Sequence, residues 1–173
     1  MEKIMMHAFK ALGMNNHSTK GGNLEWYPPK NDVPGIWMSE SPSAREQYYL
    51  CTRDNILIWL DECIFIAEIR GDYQKENGDL TVEDVRLIRK LAAWNRKSKT
   101  EFAKECQKAI QSTPVTRENE VDFREFNKAF ETMNIVAISK QTDRIKPDFF
   151  EKQKAMILNI VDEELKKHNM NFA

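Results

Sequence analysis

Cysteine is scarce in this chain of 173 residues. Cys51, Cys63 and Cys106 are odd in number and widely spaced, and no two of them form a CxxC pair. This pattern excludes a zinc knuckle and a disulfide framework. We therefore expect three reduced thiols, mostly in the core, in a cytoplasmic protein.

Long apolar runs are also missing. No run approaches the ~18 apolar residues of a membrane-spanning helix, and the first residues lack the apolar region of a standard signal peptide. The formal net charge is −1, so no bulk attraction draws the chain to nucleic acid or to a membrane. Six glycines, six prolines and 41% hydrophobic residues indicate a globular chain of one domain. The small size and the many Lys, Met and Asn residues would suit an accessory protein of a phage or mobile element.

Several catalytic and metal-binding motifs are absent. The sequence contains no GxGxxG, GxxxxGK[ST], GxSxG or HExxH. Its three histidines are far apart and have no metal-ligand spacing. A stretch around Gly78 is superficially similar to a calcium loop, but alignment on that glycine places Tyr73 and Lys75 at ligand positions, where neither can coordinate calcium. We therefore expect no metal, which leaves the enzyme classes whose motifs are sparse.

Local patterns predict an α+β protein with a small mixed or antiparallel N-terminal sheet and a helix-rich C-terminal half. Strands are expected at 3–10, 23–27, 36–38 and 63–69, whereas 55–60 is ambiguous. Residues 72–79 are expected to form a hairpin or strand-to-helix turn. Helices are expected from Thr81, over 98–110, from Thr116 and from Pro147, with one late strand at 134–139. We describe 1–80 as strand-rich and 81–173 as helix-rich parts of a single domain, because the late strand needs sheet partners.

The most informative stretch is 35–50, with the sequence GIWMSESPSAREQYYL. It predicts a short strand, a polar corner from Ser39 to Ser41, and a helix that begins at Pro42 and projects Tyr48 and Tyr49. Such a strand edge, hydroxyl corner and aromatic-bearing helix can line a ligand cleft. It is equally typical of an ordinary connection between a strand and a helix.

Three widely separated parts of the chain resemble the mono-ADP-ribosyltransferase family. They are an early strand with His7, the Gly35–Ser41 segment with its tyrosines, and the Glu118-Asn-Glu120 tripeptide. The resemblance implies a core that binds NAD or a related nucleotide, with or without transfer of ADP-ribose to a macromolecule. In such a core a basic residue holds the ribose or diphosphate, hydroxyls and aromatics support the nicotinamide ribose and stack on the ring, and a glutamate stabilises the oxocarbenium-like centre.

The resemblance assigns roles to a defined set of residues. The cofactor-binding candidates are His7, Gly35, Trp37, Ser39, Ser41, Tyr48 and Tyr49. The catalytic candidates are Glu120, Glu118 and Glu68, the last being an unusual carboxylate near the end of a buried strand, either in water at a sheet edge or held by a partner. The ordinary alternatives remain open: a satisfied histidine, helix-capping serines and glutamates, and tyrosines that pack one ring inward.

A rival hypothesis of a different class comes from the basic stretch 85–99. On a helix it would present a basic face beside an apolar stripe, with Arg86, Arg89, Lys90, Trp94 and Arg96 as the contact residues. That face, or the broad apolar face of the last helix, would make the chain a non-catalytic interaction or inhibitor protein with a macromolecular partner. The near-neutral net charge disfavours nucleic acid as that partner.

Overall fold

The structure is a computed structural model that describes residues 5–19, 24–39 and 48–173. The chain divides into two compact units, one made of Met1–Ala92 with Asp162–Ala173 and the other of Ala93–Val161. The first unit contains a mixed sheet and the second is helical, which confirms the predicted α+β class. The number of independently folding domains stays a prediction. Residues 42–47 of the predicted helix and the candidate Ser41 lie outside the described residues.

The first unit is built on five strands: β1 Met6–Leu12, β2 Tyr48–Cys51, β3 Cys63–Glu76, β4 Asp79–Lys90 and β5 Asn171–Phe172. Their order in the sheet is β2-β4-β3-β1-β5. All pairs are antiparallel except β1 with β5. Phe9 of β1 also pairs with Cys51 of β2, so the sheet closes on itself through four of its strands. This closure encloses one face of the sheet and leaves the other outside.

The enclosed face carries an apolar cluster. It includes Ala8, Ala67 and Leu87 from three neighbouring strands, and Leu50 from β2. Trp26 and Met38 complete the cluster from the segment 24–39, which contains no regular strand. The strand expected at 36–38 is reduced to a single bridge between Met38 and β4, and none is found within 24–27.

Residues 79–90 form β4 and not the helix expected from Thr81. The strand is joined to β3 by Asn77 and Gly78, which have φ values of 52° and 85°; two adjacent left-handed residues favour a tight hairpin turn. The core positions in β4 are Leu80, Val82, Val85 and Leu87, with spacings of two, three and two. The three-residue step from Val82 to Val85 coincides with an irregularity in the β3–β4 pairing between Arg70 and Tyr73, and a second irregularity leaves Ile88 as an extra residue. The resulting three-residue steps explain why the apolar pattern was similar to that of a helix.

Tyr48 and Tyr49 also lie on a strand, because β2 replaces the helix expected there. They pair with Val82 and Thr81 of β4. Since successive side chains of a strand point to opposite faces, Tyr48 is buried and Tyr49 is 49% exposed. One ring therefore packs inward and the other is exposed, as expected for two adjacent tyrosines that have no role in ligand binding.

The second unit contains α1 Arg96–Gln111, α2 Glu120–Glu131, α3 Ile135–Ile145 and most of α4 Phe150–Leu165. The helices expected over 98–110, near Thr116 and from Pro147 are confirmed, the last after a short 3₁₀ turn. The strand expected at 134–139 is wrong. The Asn134 side chain caps a helix by accepting a bond from the Ala137 amide, and Ile135, Ile138 and Ile145 have helical spacing and are buried. No helix in the described part of the chain is both long and apolar enough to cross a bilayer.

Candidate functional site

One row of polar and aromatic side chains crosses the sheet on the face opposite the apolar cluster. His7 of β1 is paired with Glu68 of β3, and Glu68 is paired with Arg86 of β4. The bridge that joins residue 38 to β4 sets Trp37 beside Arg86. Because side chains alternate along each strand, these residues share the outer face. The sheet thus brings together residues from four separate parts of the chain.

Close contacts connect the members of this row. The Nη2 of Arg86 lies 2.7 Å and its Nε 2.9 Å from Oε1 of Glu68. The Nε2 of His7 lies 3.4 Å from the other carboxylate oxygen. The guanidinium carbon of Arg86 lies 4.6 Å from the centre of the Trp37 ring, and that of Arg70 lies 4.2 Å from it. We call His7, Glu68, Arg86, Trp37 and Arg70 the outer row.

Exposure rises steadily along the outer row. The side chains of His7 and Glu68 are 12% and 14% exposed, that of Arg86 is 29% exposed, and that of Arg70 is 45% exposed. A ligand can therefore approach at the end formed by the arginines and Trp37, with the carboxylate deeper. Glu68 is held by a partner and is not at an open sheet edge in water. The ion pair with Arg86 offsets the free-energy cost of burying the negative charge of Glu68.

The imidazole of His7 is only partly satisfied. Its Nδ1 is buried and has no hydrogen-bond partner within the described residues. The nearest ring is that of Phe172 in β5, with centroids 6.0 Å apart, and Phe172 stacks on Phe9 at 4.9 Å. A buried ring nitrogen without a partner costs free energy unless water or a ligand bonds to it. His7 therefore retains one unused bonding position beside Glu68.

The other cofactor-binding candidates have mainly structural contacts. The amide of Gly35 donates to the Leu87 carbonyl at 2.8 Å, and a Cβ at this glycine would lie 2.2 Å from the Tyr27 carbonyl oxygen. The carbonyl of Ser39 accepts a bond from the Tyr48 hydroxyl at 2.6 Å. Tyr48 packs against Trp26 in the apolar cluster, so it lies on the opposite face from Trp37.

The Glu118 and Glu120 candidates belong to the helical unit. Glu118 lies in the turn before α2, and Glu120 is the first residue of that helix; both are exposed. Acidic side chains at such positions stabilise the positive end of the helix dipole. That placement agrees with the alternative interpretation, in which both glutamates stabilise the start of a helix. Glu68 is then the catalytic candidate that contacts His7.

The basic stretch 85–99 does not form one helical face. Arg86, Arg89 and Lys90 lie on β4, whereas Arg96 begins α1 in the other unit. Trp94 is 2% exposed and packs edge-on against Phe102, so its ring is not offered to a partner. The prediction of a continuous basic helix is therefore wrong, because β4 extends ten residues beyond the expected end of the strand-rich part.

Lys10 is a chemically unusual residue that sequence reasoning missed. It alternates with Ala8 and Leu12 onto the enclosed face, where it is only 8% exposed. Its Nζ donates to the Tyr49 carbonyl at 2.8 Å and lies 4.7 Å from the centre of the Trp26 ring. Burial lowers the pKa of Lys10 from 10.5 to about 8. The alternation within β1 was the signal that could have revealed it.

Comparisons with protein-family models, with curated proteins and with solved structures find no match to this chain. The resemblance to mono-ADP-ribosyltransferases therefore depends on the residues quoted above and stays a prediction. The fold and the site define a class: an α+β chain whose mixed sheet closes on itself and carries a charged aromatic row on its outer face.

Proposed function

We propose that this protein binds a nucleotide or dinucleotide of the NAD type at the outer row. The observation that carries the proposal is the continuous series of contacts from His7 through Glu68 and Arg86 to Trp37. It joins the first-strand histidine to the Gly-aromatic segment on one face, as a nucleotide cleft of the family's kind requires. It also supplies a buried carboxylate that contacts both neighbours.

Each residue of the outer row has a chemical role in this proposal. At the exposed end of the row, the Trp37 ring and the guanidinium groups over it form the planar groups against which a base or nicotinamide ring can stack. Arg70 and Arg86 lie against that ring, and each is also paired with an acid, Asp84 and Glu68 respectively. Their remaining N–H groups are the donors for the phosphate oxygens of the ligand. His7 is a positioning residue in this proposal: its Nδ1 is buried, and its Nε2 lies 3.4 Å from Glu68 and orients that carboxylate beneath the ligand.

Glu68 is the proposed catalytic residue if the bound dinucleotide is cleaved. Departure of nicotinamide leaves positive charge on the ribose, and a preorganised carboxylate stabilises that charge. Arg86 fixes the orientation of this carboxylate through bonds to one of its oxygens. The other oxygen faces His7, so the group is held at both ends. Binding, the primary proposal, does not require cleavage.

A thermal-shift titration tests the binding proposal. NAD or ADP-ribose at ~10 times its Kd stabilises a protein by ~1.4 kcal/mol, which corresponds to a rise in Tm of ~3–6 °C for a chain of this size. We expect this rise in the native protein and its loss in His7→Ala and in Trp37→Ala. Ile36→Ala is the matched control, because Ile36 neighbours Trp37 but is 61% exposed. If NAD is cleaved, Glu68→Gln should stop nicotinamide release.

Two outcomes would contradict the proposal. One is the absence of any shift with millimolar NAD or ADP-ribose. The other is a shift by NAD or ADP-ribose that survives both Trp37→Ala and His7→Ala, since the dinucleotide would then be bound elsewhere on the chain.

The second candidate is a non-catalytic interaction protein. It is favoured by three exposed apolar side chains on one segment, Tyr27 at 44%, Val33 at 66% and Ile36 at 61% exposure. Exposed apolar side chains that follow closely along one segment can contribute to a surface for a protein partner. Under this function dinucleotides cause no shift, and Val33→Asp with Ile36→Asp removes a partner that the native chain retains.

A further inference from the structure

A groove separate from the outer row lies at the end of β4. It has a volume of about 270 Å³ and is lined by Pro29, Asn31 and Asp32 on one side and by Ile88, Arg89 and Lys90 on the other. We call it the β4 groove. Its volume is just below the ~300–1,000 Å³ typical of sites for drug-sized ligands. It therefore suits a molecule smaller than a dinucleotide.

A β-bulge builds the basic wall of the groove. Arg89 pairs with Ile66 and Leu87 pairs with Ala67, which leaves Ile88 as an extra residue in β4. In a regular strand, adjacent side chains would point to opposite faces. A bulge changes the direction of the side chains around it, and bulges are frequent beside functional sites. This irregularity allows three successive residues of β4 to line one groove.

The opposite wall is a tight hairpin. Lys30 and Val33 exchange two backbone hydrogen bonds of 3.0 and 2.9 Å, and Asn31 adopts a φ of 55° at the tip. The segment is fixed to β4 because the Gly35 amide bonds to the Leu87 carbonyl. The hairpin thus presents an amide and the Asp32 carboxylate towards the groove from a fixed backbone.

The charges of the groove are not neutralised. Within the described part of the chain, neither Arg89 nor Lys90 forms an ion pair, although the outer-row arginines Arg70 and Arg86 both do. Asp32 is the single acid in the lining, and its carboxylate is more than 4.0 Å from the charged nitrogens of Arg89 and Lys90. Two cations and one acid leave the groove with a formal charge of +1.

We propose that the β4 groove binds a small phosphomonoester that carries hydroxyl groups, such as a sugar phosphate or a mononucleotide. Arg89 and Lys90 hold the phosphoryl group, because guanidinium and ammonium groups form strong charge-assisted bonds to phosphate oxygens. Asp32 accepts hydrogen bonds from the hydroxyls, and Asn31 assists it. Ile88 and Pro29 supply the apolar surface against which the carbon skeleton packs.

Calorimetric titration of the full chain tests this inference. The probes are ribose 5-phosphate, AMP, inorganic phosphate and ribose. We expect ribose 5-phosphate or AMP to bind more tightly than inorganic phosphate, and ribose alone not to bind. Arg89→Gln and Lys90→Gln should each weaken phosphoester binding roughly tenfold. Asp32→Asn should weaken the binding of ribose 5-phosphate, while the binding of inorganic phosphate stays unchanged or becomes tighter.

The matched control is Lys75→Gln, which removes one positive charge from an exposed position of β3 outside the groove. Equal weakening by Lys75→Gln and Arg89→Gln would overturn the inference, because only general charge screening would then be measured. So would the absence of binding at millimolar concentration, or equal affinity for inorganic phosphate and the phosphoesters. Trp37→Ala should leave this binding intact, so failure here is distinguishable from failure of the outer-row proposal.

Discussion

At the scale of single residues, Lys10 has the most measurable chemistry. Its ammonium group is buried on the enclosed face of the sheet, against Trp26 and beneath the Tyr49 carbonyl. Burial penalises the charged form, which lowers the pKa of this lysine to about 8. In the unfolded chain the same group titrates near its ordinary pKa of 10.5. Between these two values the unfolded state binds more protons than the folded state.

This difference predicts a rise of stability with pH. The free energy of unfolding should increase by ~3 kcal/mol as pH rises from below 8 to above 10.5, because each pKa unit corresponds to ~1.4 kcal/mol. Lys10→Met keeps an unbranched side chain but removes the titration. We expect denaturant unfolding at several pH values to show that, between pH 8 and 10.5, the free energy of unfolding of the native chain rises relative to that of Lys10→Met.

The comparison between the two chains isolates the lysine from the thiols. Burial raises the pKa of Cys51 and of Cys106 to about 12, so these groups make stability fall as pH rises above 9.0. Cys106 is not coupled to Lys10, so its contribution cancels in the difference. The charge of Lys10 lowers the pKa of Cys51, but in both folded chains this thiol stays protonated up to pH 10.5, so its contribution also cancels within the window. A difference that stays constant from pH 7.5 to 10.5 would refute the buried, pKa-shifted lysine.

Residue-level reasoning succeeded where the pattern was local and failed where it depended on the partner strand. The buried run at 63–69 correctly predicted part of β3. Of the two alternatives left open for Glu68, water at a sheet edge or an ion-pair partner, the structure shows the partner. That Arg86 would hold it could not be predicted, because Arg86 was placed on a helix. The role of Lys10 was missed for the same reason: its surroundings come from Trp26 and Tyr49, which are distant in sequence.

At the scale of elements, the contact between the segment 35–38 and β4 determines where Trp37 lies. Gly35 allows this contact, because only a residue without a Cβ can approach the Tyr27 carbonyl so closely. Gly35→Ala would place its Cβ 2.2 Å from that backbone oxygen, which cannot swing away as a flexible side chain would. We expect a loss of ~1–3 kcal/mol in the free energy of unfolding, measured by denaturant titration.

The control for this prediction is Gly13→Ala. There the nearest atom to a new Cβ is the Oδ1 of Asn15 at 3.3 Å, at the end of a side chain that can move. The expected change is within ~0.5 kcal/mol, as for an ordinary surface substitution. Equal effects of the two substitutions would show that the approach of Gly35 to Tyr27 is not required.

Elements with their own start and stop signals were predictable, and those defined by pairing were not. The helical spacing of Phe102, Cys106 and Ile110 revealed α1, and Pro147 revealed the turn before α4. The capping pair of Asn95 and Ser98 is the local signal that places the start of α1 a few residues before the expected one. The bulged β4 was mistaken for a helix, because each extra residue changes the apolar spacing. The Asn77-Gly78 turn was the local signal that favoured a hairpin.

At the scale of the whole molecule, the sheet unit is discontinuous in sequence. It takes Met1–Ala92 and then Asp162–Ala173. Arg53 bonds to Asp162 across 109 residues, and the Ala92 amide donates to the carboxylate of Glu164 at 2.9 Å. Periodicity within a window of sequence cannot reveal such pairs. The expected boundary near residue 80 therefore missed both the end of β4 and the return of the last segment.

A chain that ends at Val161 tests the importance of this return. It loses Asp162, Glu164 and β5, and with them the ring of Phe172 that stacks on Phe9, which is 1% exposed in the complete chain. Re-exposing a buried phenylalanine costs ~1.5–3 kcal/mol. Loss of the bond from the Ala92 amide to Glu164 and of the bond between Arg53 and Asp162 adds to this cost. We expect unfolding, measured by tryptophan fluorescence, to have its midpoint at a clearly lower urea concentration.

The control for this truncation is a chain that ends at Asn169, which loses β5 but keeps the bonds of Asp162 and Glu164. Its midpoint should lie between those of the complete chain and of the chain ending at Val161. If the shorter chain unfolds at the same urea concentration as the complete one, the last twelve residues are not part of the sheet unit. His7 also depends on this segment, because its carbonyl accepts the Ala173 amide at 2.9 Å. Both truncations should therefore reduce the affinity for a ligand of the outer row more than the affinity for a ligand of the β4 groove.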